Sequence, residues 1–134
     1  MITTMSIDQC CPDKYDEVYL IVRSIDTLVK RKHPILEKSQ QLDCLSPSQS
    51  LFYRYLNWRK TGMWNTETFN LTYKPQFINE LKANSLARET LIRLIDKCNT
   101  GKNIALLCFC KDVNLCHRKI VGEILKAHCD VLIK

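Results

Sequence analysis

The chain has 134 residues, the usual length of one domain and enough to bury a core without disulfide or metal staples. Hydrophobic residues make up 46% and charged residues 25%, values near the globular average that exclude disordered, collagen-like and low-complexity classes. With 20 Lys and Arg against 14 Asp and Glu, the net charge of +6 favours anionic partners, whether nucleotides, nucleic acid or phosphorylated metabolites, without choosing among them.

The N-terminal stretch MITTMSIDQCCPDKYDE lacks the apolar core of a signal peptide, and IALLCFC is the longest uninterrupted apolar run. No membrane association is expected. Residues 1–15 read as a loose N-terminal extension of a single α/β domain spanning 1–134. Eight cysteines are an enrichment, but Cys98 falls in a helical pattern, Cys108 and Cys110 in an apolar strand, and Cys10 adjoins Cys11. That is not the evenly punctuated framework of a disulfide scaffold, so reduced thiols in a cytoplasm are expected.

EVYLIV at 17–22, rich in β-branched and aromatic residues, predicts the first strand. Thr27 to Cys44 is mixed and polar, carries Pro34 and the KRKH cluster, and supports only a weak helix or loop. Ser46-Pro47-Ser48-Gln49 predicts a helix start with Ser46 as cap, and a helix from Pro47 to Lys60 follows. Leu51, Phe52, Tyr55, Leu56 and Arg59 share one face of it. Gly62 ends it, and Asn65 caps a second helical stretch, interrupted at Pro75 and resuming through Phe77, Ile78 and Leu81. A helix from Leu86 to Cys98 stops at Gly101.

Residues 104–110 are apolar without alternation, as in a parallel strand buried on both faces. Ile120, Val121, Ile124 and Leu125 then define a helix over 115–127, and DVLI at 130–133 predicts the last strand. The order implies a small Rossmann-like three-layer α/β domain with a short, mostly parallel sheet. Ligand is expected outside the carboxyl ends of its strands.

The strand-to-helix turn after Cys110 concentrates the chemistry. With Asp112 or Asn114 as cap, the first helical turn holds Cys116, His117 and Arg118. Free N–H groups and the helix dipole favour an anion there, and Arg118 supplies a bidentate clamp. Cys116 is a candidate nucleophile and His117 its acid or base. The competing reading makes both of them core. Cys108, Cys110, Cys116 and His117 are the residue types of a zinc site, but their spacing on a strand end argues against one, so no cofactor is expected. A redox pair of Cys110 with Cys116 is also open, although its spacer is not that of Cys-x-x-Cys. Arg23 ends a strand of the same sheet and is placed at the same edge.

FYRYLNWRKTGMW at 52–64 interleaves aromatic rings with cations, a composition suited to a nucleotide or single-stranded nucleic acid. Phe52, Tyr55 and Leu56 sit at core spacing, which leaves Trp58, Arg59, Lys60 and Trp64 as the binding candidates.

LSPS at 45–48, NWRKTGMWNTETFN at 57–70, ALLCFCKD at 105–112 and CHR at 116–118 occur in that order. Together they resemble the bacterial and phage family called domain of unknown function 488. The resemblance implies a small Rossmann-like α/β fold, and it implies a site rather than a reaction. Its site positions are Arg23, Cys110, Cys116, His117 and Arg118, with Trp58 and Arg59 added.

The leading expectation is a cytoplasmic domain, with a homo-oligomer left open, that binds a phosphate-bearing small molecule or nucleic-acid end at the Cys116–Arg118 turn. Two alternatives stand beside it. One is a Cys/His-dependent hydrolase or glycosyl-transfer enzyme acting on nucleotides. The other is an interaction or sequestering protein whose cysteines are structural or hold zinc.

Overall fold

A computed structural model describes all 134 residues. Its first strand corrects the expectation for residues 1–15. These are not a loose extension, because β1 (Ile2–Ser6) is buried at every position. It lies between β4 (Ile104–Cys108) and β5 (Val131–Ile133), pairing parallel with both. Thr3, Thr4 and Ser6 hid this strand, since their hydroxyls break the apolar pattern while the β-branched threonines suit a pleated sheet. EVYLIV therefore forms the second strand, β2 (Glu17–Leu20). The illegible segment resolves into a short helix, α1 (Asp26–Lys30), a 3-10 turn at Pro34–Lys38, and a two-residue edge strand, β3 (Gln40–Gln41).

The five strands run in the order β3-β2-β4-β1-β5, and every pairing is parallel. β2 leads on to β3 at one side of the sheet, whereas its neighbour β4 leads over β1 to β5 at the other. Chain departing in opposite directions from two adjacent strands opens a crevice at their carboxyl ends.

Ser48, not Ser46, caps α2 (Gln49–Lys60), its hydroxyl accepting from the Leu51 N–H at 3.1 Å. Glu80 holds this cap by accepting from both the backbone and the hydroxyl of Ser48. Asn65 caps the next helix as expected, with Oδ1 accepting from Thr68 at 2.8 Å. Pro75 does not interrupt it. α3 (Thr66–Thr68) widens into a π turn at Phe69–Tyr73, where Lys74 donates to Phe69 five residues back, and continues as α4 (Lys74–Ala83). The wide turn absorbs the donor that Pro75 lacks. α5 (Ser85–Asn99) is capped by Asn84 and ends before Gly101, whose φ of 94° requires glycine. α6 (His117–Lys126) precedes β5.

Alternate residues of β4 divide the core. Ile104 and Leu106 face a cluster built with α2 to α6, including Leu51, Phe77, Leu94, Val121 and Leu125. Ala105 and Leu107 face a smaller cluster closed by Leu28 of α1, Ile35 and Met5. The domain is thus a three-layer Rossmann-like sandwich with one thick helical layer and one thin layer. No helix is long and apolar enough to cross a membrane.

The amino end of the sheet is held by charge. Glu17 accepts from Lys97 and Tyr19, and Lys102 lies 3.4 Å from its second oxygen. Burial opposes its ionisation, but Lys97, Tyr19 and Lys102 outweigh that and lower the carboxyl to about 2. A depressed folded value contributes stability that is present above the unfolded value, near 4.5, and lost as pH falls through about 2. In urea titrations Glu17→Gln should therefore cost about 1–2 kcal/mol at neutral pH, allowing for its partial exposure. The difference from the unmodified protein should vanish towards pH 2. A cost independent of pH would show that the carboxylate charge is not what matters.

Candidate functional site

The crevice between β2 and β4 is a cleft of about 740 Å³. Its floor is the end of β4 and the start of α6, where Cys108, Cys110, Cys116 and His117 meet. One wall is the chain after β2, with Val22, Arg23 and Asp26, and the facing wall is α2, with Phe52, Tyr55 and Arg59. Gln41 fixes the first wall by donating to the carbonyls of Val22 and Arg23 at 3.0 and 3.1 Å.

On the floor, Asp112 caps only a 3-10 turn at Val113–Leu115, and Cys116 itself stands at the N-cap of α6. His117 is buried and donates from Nε2 to the Ile21 carbonyl beyond β2. That bond leaves Nδ1 with its lone pair towards two sulfurs, Cys108 Sγ at 3.8 Å and Cys116 Sγ at 3.9 Å. Burial disfavours a charged ring, but the Cys116 sulfur and the Ile21 carbonyl together outweigh it and raise the imidazole pKa. The sulfurs of Cys108, Cys110 and Cys116 all lie within 4.8 Å of one another. Contact with Cys110, together with burial, pushes the Cys108 thiol up to about 12. Cys110 is lowered by Cys108 but raised more by Cys116 and burial, to about 11. As bare thiols these two are protonated at neutral pH. All eight cysteines are free of disulfides.

Arg118 does not serve as the expected anion clamp. It is 1% exposed, and it donates to the backbone oxygens of Lys134 at 3.1 Å, of Cys110, and of Lys111 at 3.4 Å. A guanidinium at the second helical position points back beneath the turn, where oxygens leaving β4 and β5 accept from each of its three nitrogens. No Asp or Glu side chain pairs with its charge.

The cations that do reach the cleft are Arg23 and Arg59. Arg23, at the carboxyl edge as expected, is exposed and donates to the Pro47 carbonyl at 3.2 Å. Arg59 donates to the Tyr55 hydroxyl at 3.2 Å and lies 5.7 Å from that ring. Neither is ion-paired. Trp58 lies behind the wall. It stacks on Trp64 at 5.9 Å and 14°, under the guanidinium of Arg54, and it is Trp64 that lines the cleft.

The structure thus brings Arg23, Arg59, Cys110, Cys116 and His117 to one cleft, with Cys108 beneath, and leaves Arg118 and Trp58 outside. Phe52, Tyr53, Tyr55, Tyr73 and Phe109 also line it and were not anticipated. Phe52 and Tyr55 sit at core spacing, but only Leu51 on that helix is fully buried. The polar tips of the tyrosines were the available signal, since a ring with a hydroxyl suits a half-wet wall. Burial raises the hydroxyl pKa of Tyr55 and of Tyr73, and both sit close enough to feel the cysteine sulfurs.

A parallel α/β domain with a Cys/His floor at its topological switch point defines the class. Residues 3–129, nearly the whole chain, match the family described as "Active DUF488-N3 subclade", and the chain belongs to the domain of unknown function 488 family. No curated protein and no solved structure matches it.

Removing the buried Arg118 side chain leaves three backbone acceptors without their partner and a hole in the packing. Arg118→Ala should cost about 3 kcal/mol or more. Exposed Arg59→Ala should stay within about 0.5 kcal/mol. Urea denaturation of the two variants checks this, and an Arg118→Ala protein of unaltered stability would return that residue to the list of ligand-binding candidates.

Proposed function

We propose that the protein binds a phosphate-bearing aromatic ligand, a nucleotide or the end of a nucleic-acid strand, in the cleft between β2 and β4. The observation that carries this reading is the pairing of two guanidinium groups free of salt bridges, Arg23 and Arg59, with the aromatic wall of α2, in a cleft whose other charged lining residues are Asp26 and Asp43. Guanidinium groups grip phosphate through parallel N–H donors, and aromatic rings stack on bases whatever their sequence. A volume of about 740 Å³ lies within the range of small-molecule sites. The net charge of +6 adds a field that draws anions in. Relative to the expectation from sequence, the phosphate moves from Arg118 to Arg23 and Arg59, while the Cys116–His117 turn becomes the floor that the ligand meets.

Calorimetric titration with a nucleoside, its monophosphate, and a short single strand bearing a 5′ phosphate separates the contributions. The monophosphate should bind and the bare nucleoside should bind far more weakly. Arg59→Ala should weaken the phosphate-bearing ligands by about 10- to 100-fold, the worth of a charge-assisted hydrogen bond. A preference for the strand over the monophosphate would identify the nucleic-acid end as the ligand. Equal affinity with and without phosphate, or no effect of Arg59→Ala, would defeat the reading.

A further inference from the structure

The group on the cleft floor has a geometry that neither nucleotide binding nor packing requires. Three sulfurs within 4.8 Å of one another come from three different local structures: the end of β4 (Cys108), the loop after it (Cys110) and the cap of α6 (Cys116). His117 Nδ1 lies 3.8 and 3.9 Å from two of them. In a tetrahedral zinc site, with Zn–S near 2.3 Å and Zn–N near 2.0–2.1 Å, neighbouring ligand atoms stand about 3.5–3.8 Å apart. The two distances from Nδ1, to Cys108 and to Cys116, are close to such edges, and the three sulfurs, within 4.8 Å of one another, need to draw in by up to about 1 Å to complete the set. The free lone pair of His117 is on the correct nitrogen, because Nε2 already donates to Ile21. A ligating histidine typically donates its other N–H to a backbone carbonyl or carboxylate in this way.

Arg118 places a buried cation beside this group. A buried guanidinium gains from nearby negative charge, and no Asp or Glu side chain supplies it here. Three thiolates and a neutral imidazole around a divalent ion carry one net negative charge, and Arg118 holds the carbonyl of Cys110 directly. A free catalytic thiol explains less. Cys116 is only 1% exposed and Cys108 3%, and one nucleophile needs no companion sulfurs.

We propose that Cys108, Cys110, Cys116 and His117 bind a thiophilic divalent ion of the zinc type, with Arg118 as its buried counter-charge. Binding would displace the three thiol protons to solvent and leave the imidazole neutral. The site goes beyond the nucleotide reading and stands without it.

The test uses the full chain, purified under reductant with no added metal. Elemental analysis should find about one zinc per chain. After chelation, titration with Co(II) should give the visible bands and thiolate charge-transfer absorption of tetrahedral thiolate coordination, saturating at one equivalent. Cys98→Ser, a buried cysteine outside the cluster, should keep that spectrum, while Cys110→Ser and Cys116→Ser should lose it. Should either variant fail to fold, thiol counting on the unaltered protein decides, since three of the eight thiols should react only once a chelator is present. Metal-free protein whose titration yields no thiolate–cobalt absorption overturns the proposal. So does the loss of two thiols to a disulfide within the cluster with no metal bound. Nucleotide affinity is read separately, so a metal-free protein that still binds the monophosphate sinks the metal site alone.

Discussion

The carboxyl edge of this domain is organised around one buried charge, the guanidinium of Arg118. Moving such a group out of water costs several kcal/mol, and only well-directed acceptors offset that. Here the acceptors are backbone oxygens of Cys110 and Lys111, leaving β4, and of Lys134, following β5. One side chain in the first turn of α6 therefore ties together two stretches of chain separated by β1. Cys110 owes its place to this clamp, because the loop that carries it has no ladder partner. The short distance from Cys110 to Cys108 and Cys116 is in turn a consequence of the clamp.

The second fixed point is the bond from His117 to the Ile21 carbonyl. It joins α6 to the end of β2 across the crevice, and it decides which imidazole nitrogen faces the sulfurs. β2 thus serves two purposes at its two ends. Glu17, Tyr19 and Lys97 lock its amino end with charge and hydrogen bonds. Past the carboxyl end, the Ile21 carbonyl accepts from His117 and Arg23 lines the cleft. The ion-paired edge and the edge that carries the cleft are opposite ends of one parallel sheet, with Leu20 and Ile21 buried between them.

Much of this was legible in sequence, and the misses share a cause. The buried run at 104–108 and the amphipathic pattern of α6 are signals of burial, which composition records directly. β1 escaped because threonine and serine write a polar pattern while their backbone sits in the middle of a sheet. Arg118 was misplaced for the converse reason: a cation implies water or a ligand unless carbonyls converge on it, and that convergence depends on loops far apart in the chain. Arg23 was placed correctly because its position needed only the strand end and the parallel sheet. The sulfur cluster shows the limit of spacing arguments. Cys108, Cys110 and Cys116 are poorly spaced for a metal along a straight strand, but the turn after β4 folds back and brings their sulfurs together.

The aromatic residues carry the last step. Phe69, Tyr73 and Phe77 form one column, with ring centroids 5.6 and 6.2 Å apart, and the column ends edge-on against His117 at 5.7 Å. Trp64 meets its other end, Phe69, at 5.9 Å, and also Tyr73 at 5.2 Å and Tyr55 at 4.8 Å, so the column reaches the wall of α2. The π turn at Phe69–Tyr73 lies in the middle of this path. Such turns persist where they place side chains that a regular helix would not, often at functional sites. Here the wide turn accommodates Pro75 while Tyr73 remains both a core ring and a lining residue of the cleft. A ligand stacked on Tyr55 would therefore press on the same packed column that buttresses His117. Close-packed rings transmit displacement because they have little free volume to absorb it. The aromatic wall of α2 and the sulfur–imidazole floor are thus two ends of one close-packed aromatic assembly.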